Sequence, residues 1–241
     1  MTDPLFRRDS YLRETPAIVV SAGPRGIALD RTVFYPRGGG QGGDQGTLVL
    51  DGGEAIAIVD TVYDADRKTI LHIAAEGAAL PEAGARLVAR IDWSRRYPRM
   101  RAHTALHLLS VALPYPVTGG AVGEGEGRLD FDCAAPLDKA EVERRLNALI
   151  ARDAPVTQSW ISDEELEANP ALVKTMSVKP PTGTGRVRLV SIENLDLQPC
   201  GGTHVARTGE IGRAAVIQIE KKGRMNRRVR IALAPGRADG Q

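Results

Sequence analysis

The chain has 241 residues, 42% hydrophobic and 26% charged, with a net charge of +2, the profile of a soluble globular protein of one large or two small domains. No apolar run approaches the roughly 18 residues of a membrane span, Met1 to Tyr11 carry no apolar signal core, and two cysteines cannot build a disulfide framework, so a reducing cytoplasm is the expected setting. The mildly basic balance does not by itself demand nucleic acid, and with aromatics at 4% the core must rest on Val, Ile, Leu and Ala.

Residues 1–91 read as an all-β unit. Strands are expected at Ala17–Val20, Gly26–Asp30, Thr32–Tyr35, Thr47–Leu50, Ala55–Val59, Lys68–Ile73 and Arg86–Ile91. Their short spacing with Gly/Pro turns suits a small barrel or sandwich. The Gly-rich run from Gly38 to Gly46 lacks a Gly-Lys-Ser/Thr and no helix follows it, so it is neither a P-loop nor a dinucleotide fingerprint. Two readings stay open: a plain turn, or backbone that a ligand approaches closely, with Gln41 and Asp44 as polar contacts.

From residue 92 the pattern changes. Trp93 to Leu113 reads as a helix that is apolar nearly all round, hence buried, ended by Pro114 and Pro116. Thr118-Gly119-Gly120 and Gly123 to Gly127 read as a mobile connection, and Arg128 to Asp132 as a strand. Asp138 caps an amphipathic helix to about Asp153 whose stripe is Val142, Leu146, Leu149 and Ile150. Val156–Ile161 is a strand, Ser162 to Glu165 a capping box opening a short helix, and Pro180-Pro181 a break. Arg186–Ile192 and Gly212–Glu220 are strands. Lys221 to Arg230 holds six basic residues and no acidic one, folded as a hairpin around Gly223-Arg224-Met225-Asn226. Such a run is commonly a solvated face; phosphate contact is the alternative.

The chain has four histidines, and their spacing carries the chemistry. His103 and His107 stand at i and i+4 of the buried helix, hence on one face. Chance gives about 0.07 such pairs in this composition. Cys200 and His204 close a second short motif, Cys200-Gly201-Gly202-Thr203-His204. Imidazoles inside an apolar helix are expensive unless paired, and two imidazoles, a thiolate and a further imidazole form a set that tetrahedral Zn(II) takes. The plain alternative is satisfied core histidines beside a small buried cysteine.

His103-Thr-Ala-Leu-His107 and Gln198-Pro-Cys-Gly-Gly-Thr-His204 resemble the two signature motifs of alanyl-tRNA editing domains, found within alanyl-tRNA synthetases and as free-standing AlaX proteins. Phe34-Tyr35-Pro36 with Gly38 to Gly46, Thr175 to Pro181, and Lys222 to Arg228 are similar as well, so the resemblance runs from about residue 15 to 234. With the β unit present and the chain stopping at 241, it is similar to the medium-length class. The resemblance implies an α+β protein: a small N-terminal β-barrel domain, residues 1–91, followed by an α/β editing domain, 92–241, with a mixed or antiparallel sheet and a buried metal-binding helix.

It also implies an ATP-independent, zinc-dependent hydrolase acting in trans on tRNA(Ala) mischarged with serine, or secondarily glycine. His103, His107, Cys200 and His204 become Zn(II) ligands and the catalytic set. Thr118 lines the substrate pocket, although the family often follows it with Gln-Ala where this chain has Gly119-Gly120. Gln41 and Asp44 belong to a substrate-proximal loop, and Lys222, Arg227 and Arg228 meet tRNA phosphates. No membrane partner is expected, and a monomer fits. The rivals are a threonyl-type editor clearing Ser-tRNA(Thr) and a non-catalytic zinc-stabilised RNA-binding module. A metalloprotease is poorly supported, because Thr104 stands where a zincin carries its Glu base.

Overall fold

The computed structural model describes residues 1–173 and 185–236; the Thr175–Pro181 stretch and the Pro180-Pro181 break therefore lie outside the described residues. The described chain is α+β and strand-rich, with three α-helices. It separates into two compact units, Met1–Arg96 and Tyr97–Gln241.

The first unit holds β1 (Asp3–Pro4), β2 (Glu14–Gly23), β3 (Gly26–Leu29), β4 (Arg31–Thr32), β5 (Gly46–Leu50), β6 (Ala55–Tyr63), β7 (Ile70–Ala74) and β8 (Arg86–Ile91). Six of them close a barrel in the order β2-β3-β7-β6-β5-β8, which leaves none of the six with an open edge. The period-2 alternation is plain in β6, where Ile56 and Ile58 are buried and Ala55, Ala57 and Val59 are exposed. The inward set of Ala17, Val19, Ile27, Leu29, Leu48 and Leu87 fills the interior around Phe34. Closure is tight at Gly46, where a Cβ would lie 2.2 Å from the Arg90 carbonyl.

The expected strand Thr32–Tyr35 is a correction. Only Arg31–Thr32 is strand, paired in parallel with Asp3–Pro4. Val33, Phe34 and Tyr35 are buried but leave the ladder. Side chains satisfy their backbone instead: Phe34 N donates to Thr32 Oγ1 at 3.0 Å and Tyr35 N to an Asp44 carboxylate oxygen at 2.6 Å.

Helix α1 (Trp93–Ala112) begins where the barrel ends. The second unit continues through β9 (Val117–Val122), β10 (Glu126–Asp132), α2 (Lys139–Ile150), β11 (Val156–Ile161), α3 (Asp163–Glu167), β12 (Val187–Ile192), β13 (Asp196–Pro199), β14 (Ala214–Lys221) and β15 (Asn226–Leu233). They form two antiparallel sheets, β14-β15-β10-β9 and β11-β12-β13. Asp138 accepts from Glu141 N and caps α2, whose buried Val142, Leu146 and Ile150 face inward. Asn147 zips the helix to β14, donating to Ala214 O at 2.7 Å and accepting from Ala214 N at 3.0 Å. The Ser162 capping box forms as expected.

Thr118-Gly119-Gly120 is a second correction, since it is strand and not a mobile connection. Gly119 and Gly120 pair with Asp130 and Leu129 across the β9–β10 ladder. A Cβ on Gly120 would meet Leu129 Cδ2 at 2.9 Å, so this glycine serves close packing rather than a loop. At Gly127 of β10 the same logic seats the His103–His107 helix: an added Cβ would meet Leu106 Cδ1 at 3.0 Å.

Candidate metal centre

Helix α1 presents His103 and His107 one turn apart, ring centroids 5.3 Å from each other. The β12–β13 hairpin returns the chain beside them. Cys200 N, just past β13, continues the ladder by donating to Arg188 O at 3.1 Å, and the loop from Cys200 then delivers His204. The His204 ring lies 4.4 Å from His103 and 4.6 Å from His107, centroid to centroid. The four candidate donor atoms all fall within 4.8 Å of one another.

Two of the donor separations match the edges of a tetrahedral ion. With Zn–S about 2.3 Å and Zn–N about 2.05 Å, a tetrahedron has S···N edges of about 3.5 Å. Cys200 Sγ stands 3.5 Å from His103 Nε2 and 3.3 Å from His204 Nε2.

The outer nitrogens are tied down, which fixes the inner ones. His107 Nδ1 donates to Asp196 Oδ2 at 2.9 Å, and Gln198 Nε2 donates to the same carboxylate oxygen at 2.7 Å. Asp196 thus sets the tautomer that leaves Nε2 as the ligand atom. Thr104 does the same for His204. Its hydroxyl donates to Met100 O at 3.0 Å, so it accepts from His204 Nδ1 at 3.1 Å and from Val205 N at 3.3 Å.

The protonation pattern follows from these contacts. At His107 burial opposes the charge, but hydrogen bonds to Asp196 and Cys200 outweigh it and hold the pKa up at about 9. Burial and the neighbouring His103 push His204 down to about 3. For Cys200 burial opposes ionisation, yet the imidazoles, His103 foremost, win and draw the thiol well below its ordinary range. Cys200 and His204 are therefore drawn toward the forms a metal needs, a thiolate and a neutral imidazole, whereas His107 must give up a proton to join them.

Comparison with known proteins shows which family the chain is related to. Residues 187–230 match the threonyl and alanyl tRNA synthetase second additional domain, and residues 12–95 match class II (A) tRNA synthetases. Among curated relatives, an alanyl-tRNA editing protein AlaX-M of Methanosarcina acetivorans is 36% identical, over 97% of this chain and 99% of that protein. The AlaX-M of Saccharolobus solfataricus is 34% identical over 98% and 100%. The chain belongs to the alanyl-tRNA editing protein family. An alanine–tRNA ligase of Metallosphaera sedula is 34% identical over 91% of this chain but only 25% of its own length, so the shared part is one portion of that larger enzyme.

The family resemblance singled out further residues, which the structure places as follows. Thr118 on β9 is half-buried; it donates to Asp130 O at 3.2 Å and accepts from Asn226 Nδ2 at 3.0 Å. In the first unit, Gln41 is buried and pairs backbone to backbone with Gly38. Asp44 is buried too, its carboxylate gripped by the wholly buried Arg96, which also donates to Val33 O at 2.6 Å and Ser10 O at 3.0 Å. Gly43 explains part of the glycine run, because a Cβ there would lie 2.2 Å from Thr61 O.

In the basic hairpin only Lys222 of the three named residues is exposed, 2.5 Å from Glu220. Arg228 is bidentate to Asp130, at 2.7 and 2.9 Å. Arg227 is buried and donates to the carbonyls of Ala134, Ala135 and Gly223, so it shapes the turn from beneath. Lys221 and Arg224, with Lys222, are the charges this turn exposes.

Sequence reading missed Thr104, Asp196, Gln198 and Arg188 as parts of the centre. Arg188 is buried on β12 and donates to Cys200 O at 3.0 Å and Gly202 O at 2.9 Å. One signal was available: Asp196, Gln198 and Cys200 alternate, so on a strand they share a face.

Proposed function

We propose that this chain is an aminoacyl-tRNA deacylase that edits in trans, hydrolysing the ester between a wrong amino acid and tRNA(Ala), with serine the main substrate and glycine the second. The single observation that carries the reading is the convergence of His103, His107, Cys200 and His204 in a chain similar to AlaX-M proteins along its whole length. The chemical need is general: a synthetase pocket sized for alanine rejects glycine and serine only weakly, so a second sieve is required.

Zn(II) is the ion these donors suit, and His103, His107, Cys200 and His204 would hold it; bound there it supplies Lewis-acid polarisation for ester hydrolysis. The chain's own residues do the rest. Asp196 and Thr104 orient His107 and His204, and the basic turn around Arg224, with Lys221 and Lys222, meets RNA phosphate while Arg227 and Arg228 hold its shape. Thr118 offers discrimination. Its proton is committed to Asp130 O, so it can only accept, and the serine side chain has a proton to give where the glycine and alanine side chains have none. Gln41 and Asp44 are a separate candidate substrate contact in the first unit, where Arg96 holds the loop through Asp44.

The test is single-turnover deacylation of Ser-, Gly- and Ala-tRNA(Ala) and Ser-tRNA(Thr), with and without chelator. The expected order is Ser- above Gly-tRNA(Ala), with Ala-tRNA(Ala) and Ser-tRNA(Thr) spared and chelation abolishing turnover. Clearance of Ser-tRNA(Thr) at equal rate would make it a threonyl-type editor. A second reading has one observation in its favour: four protein donors close a tetrahedron, the habit of structural zinc. RNA binding without any turnover would favour that non-catalytic module.

A further inference from the structure

The loop that carries Cys200 has no internal reason to hold its shape. No helix or strand covers residues 200–205. Two glycines follow the cysteine, and glycine loses more backbone freedom on ordering than any other residue. Gly201 has open space around it and no left-handed torsion, so neither packing nor torsion fixes it. Yet the Sγ beside it must stay within a few tenths of an ångström to serve as a ligand.

Arg188 supplies a restraint at the cysteine end of the loop, as Thr104 does at Val205. Its backbone carbonyl accepts from Cys200 N at 3.1 Å. Its guanidinium Nη1 donates to Cys200 O at 3.0 Å and to Gly202 O at 2.9 Å, while Nε is fixed by Gln158 Oε1 at 2.8 Å. The two carbonyls flank the Gly201–Gly202 peptide. With both outer peptides held, the middle one is aimed, and its Gly202 N–H points at Cys200 Sγ, 3.4 Å away. An N–H donor to sulfur favours the thiolate. Gln158 and Arg188 lie on one face of the β11-β12-β13 sheet, because Gln158 is paired with Val190, two residues along β12 from Arg188, and Val190 is paired with Gln198, which puts Asp196 and Gln198 on that face too.

We infer that Arg188 is a positioning residue of the metal centre, a clamp whose Nη1, aimed by the guanidinium plane that Gln158 holds at Nε, grips the Cys200–Gly202 loop so that the thiolate meets the ion. The inference rests on the metal-binding reading above and adds to it a residue that touches neither ion nor substrate. Lysine cannot replace it fully, since an ammonium has no second nitrogen for Gln158 to hold and so nothing to fix the direction of the donor to the two carbonyls.

The test uses the whole chain with Co(II) as the probe, following the thiolate-to-cobalt charge-transfer band, and compares wild type with Arg188→Met, Arg188→Lys and Gln158→Ala. Arg188→Met should weaken cobalt binding about 10–100-fold and lower the thiolate band per bound ion, with Arg188→Lys and Gln158→Ala intermediate. Wild-type affinity with a full band in Arg188→Met would overturn the inference. Amide exchange of the metal-free proteins gives an independent reading: Gly202 and Thr203 should exchange faster in Arg188→Met while β12 amides stay protected. Equal exchange overturns the clamp. A wild type that shows no thiolate band, yet loses Gly202 protection in the variant, would reject the metal reading and keep the clamp.

Discussion

Each unit buries histidine, and the two put it to opposite uses. In the barrel His72 is fully buried and neutral; its Nδ1 donates to Ile27 O at 2.9 Å and its Nε2 accepts from Thr32 Oγ1 at 2.8 Å. Both nitrogens are spent on the fold. In the second unit His107 and His204 spend only the outer nitrogen on the protein and turn Nε2 toward Cys200 and His103. Burial of an imidazole therefore does not mark a site. What marks it is one ring nitrogen anchored while the other converges with further donors.

The sharpest way to break this comparison is to remove one donor from each region. Cys200→Ser should cut deacylation of Ser-tRNA(Ala) by about 10²–10⁴-fold, the scale of several kcal/mol of Lewis-acid stabilisation. His72→Asn should leave the rate per folded molecule unchanged while lowering the unfolding midpoint in urea. Equal losses of rate in both variants would erase the distinction.

The second prediction concerns acid. Burial, partly offset by the Ile27 hydrogen bond, lowers the pKa of His72 from 6.5 to about 4. Between those values the unfolded chain binds a proton that the folded chain refuses, so stability rises with pH there. It is fully present above pH 6.5 and falls away down to about pH 4, in all about 3 kcal/mol. Urea unfolding across that window should show a smaller loss in His72→Asn than in wild type, the remainder belonging to His204, whose pKa burial lowers to about 3. Asp66, Glu141 and Glu220, whose pKa values sit at about 2, act at lower pH.

Next in size is Asp196→Asn, which should weaken metal binding about 10–100-fold by freeing the His107 ring, measured by competition with a chelating dye. The smallest effect is the most specific. Thr118→Val should slow seryl ester hydrolysis about 2–10-fold, one hydrogen bond's worth, and leave glycyl ester hydrolysis alone. Equal slowing of both would assign Thr118 to the fold, through Asp130 and Asn226.

How much of this was legible in the residue order depends on the reach of each contact. The candidate ligand pairs are local, an i,i+4 step and a five-residue motif, and the alternation of β6 and the Asp138 cap are local too. Thr104, Asp196 and Arg188 were opaque because each is defined by partners in other elements, as Thr104 is by His204 and Asp196 by His107. Val33 to Tyr35 have the composition of a strand, but Thr32 and Asp44 outbid the ladder for their amides. Gly119-Gly120 reads as a mobile connection until Leu129 is seen filling the space a side chain on Gly120 would need.

One small turn has a wide consequence. Asp196, Gln198 and Cys200 reach the same centre because they alternate along one extended segment, and that segment starts from a turn in which Asn194 adopts φ 56°. Insert or delete a single residue in that bend and all three side chains swing to the opposite face together. The carboxylate, the amide and the sulfur are thus inherited as a block, so length changes at positions 193–195 carry a far heavier penalty than substitutions there.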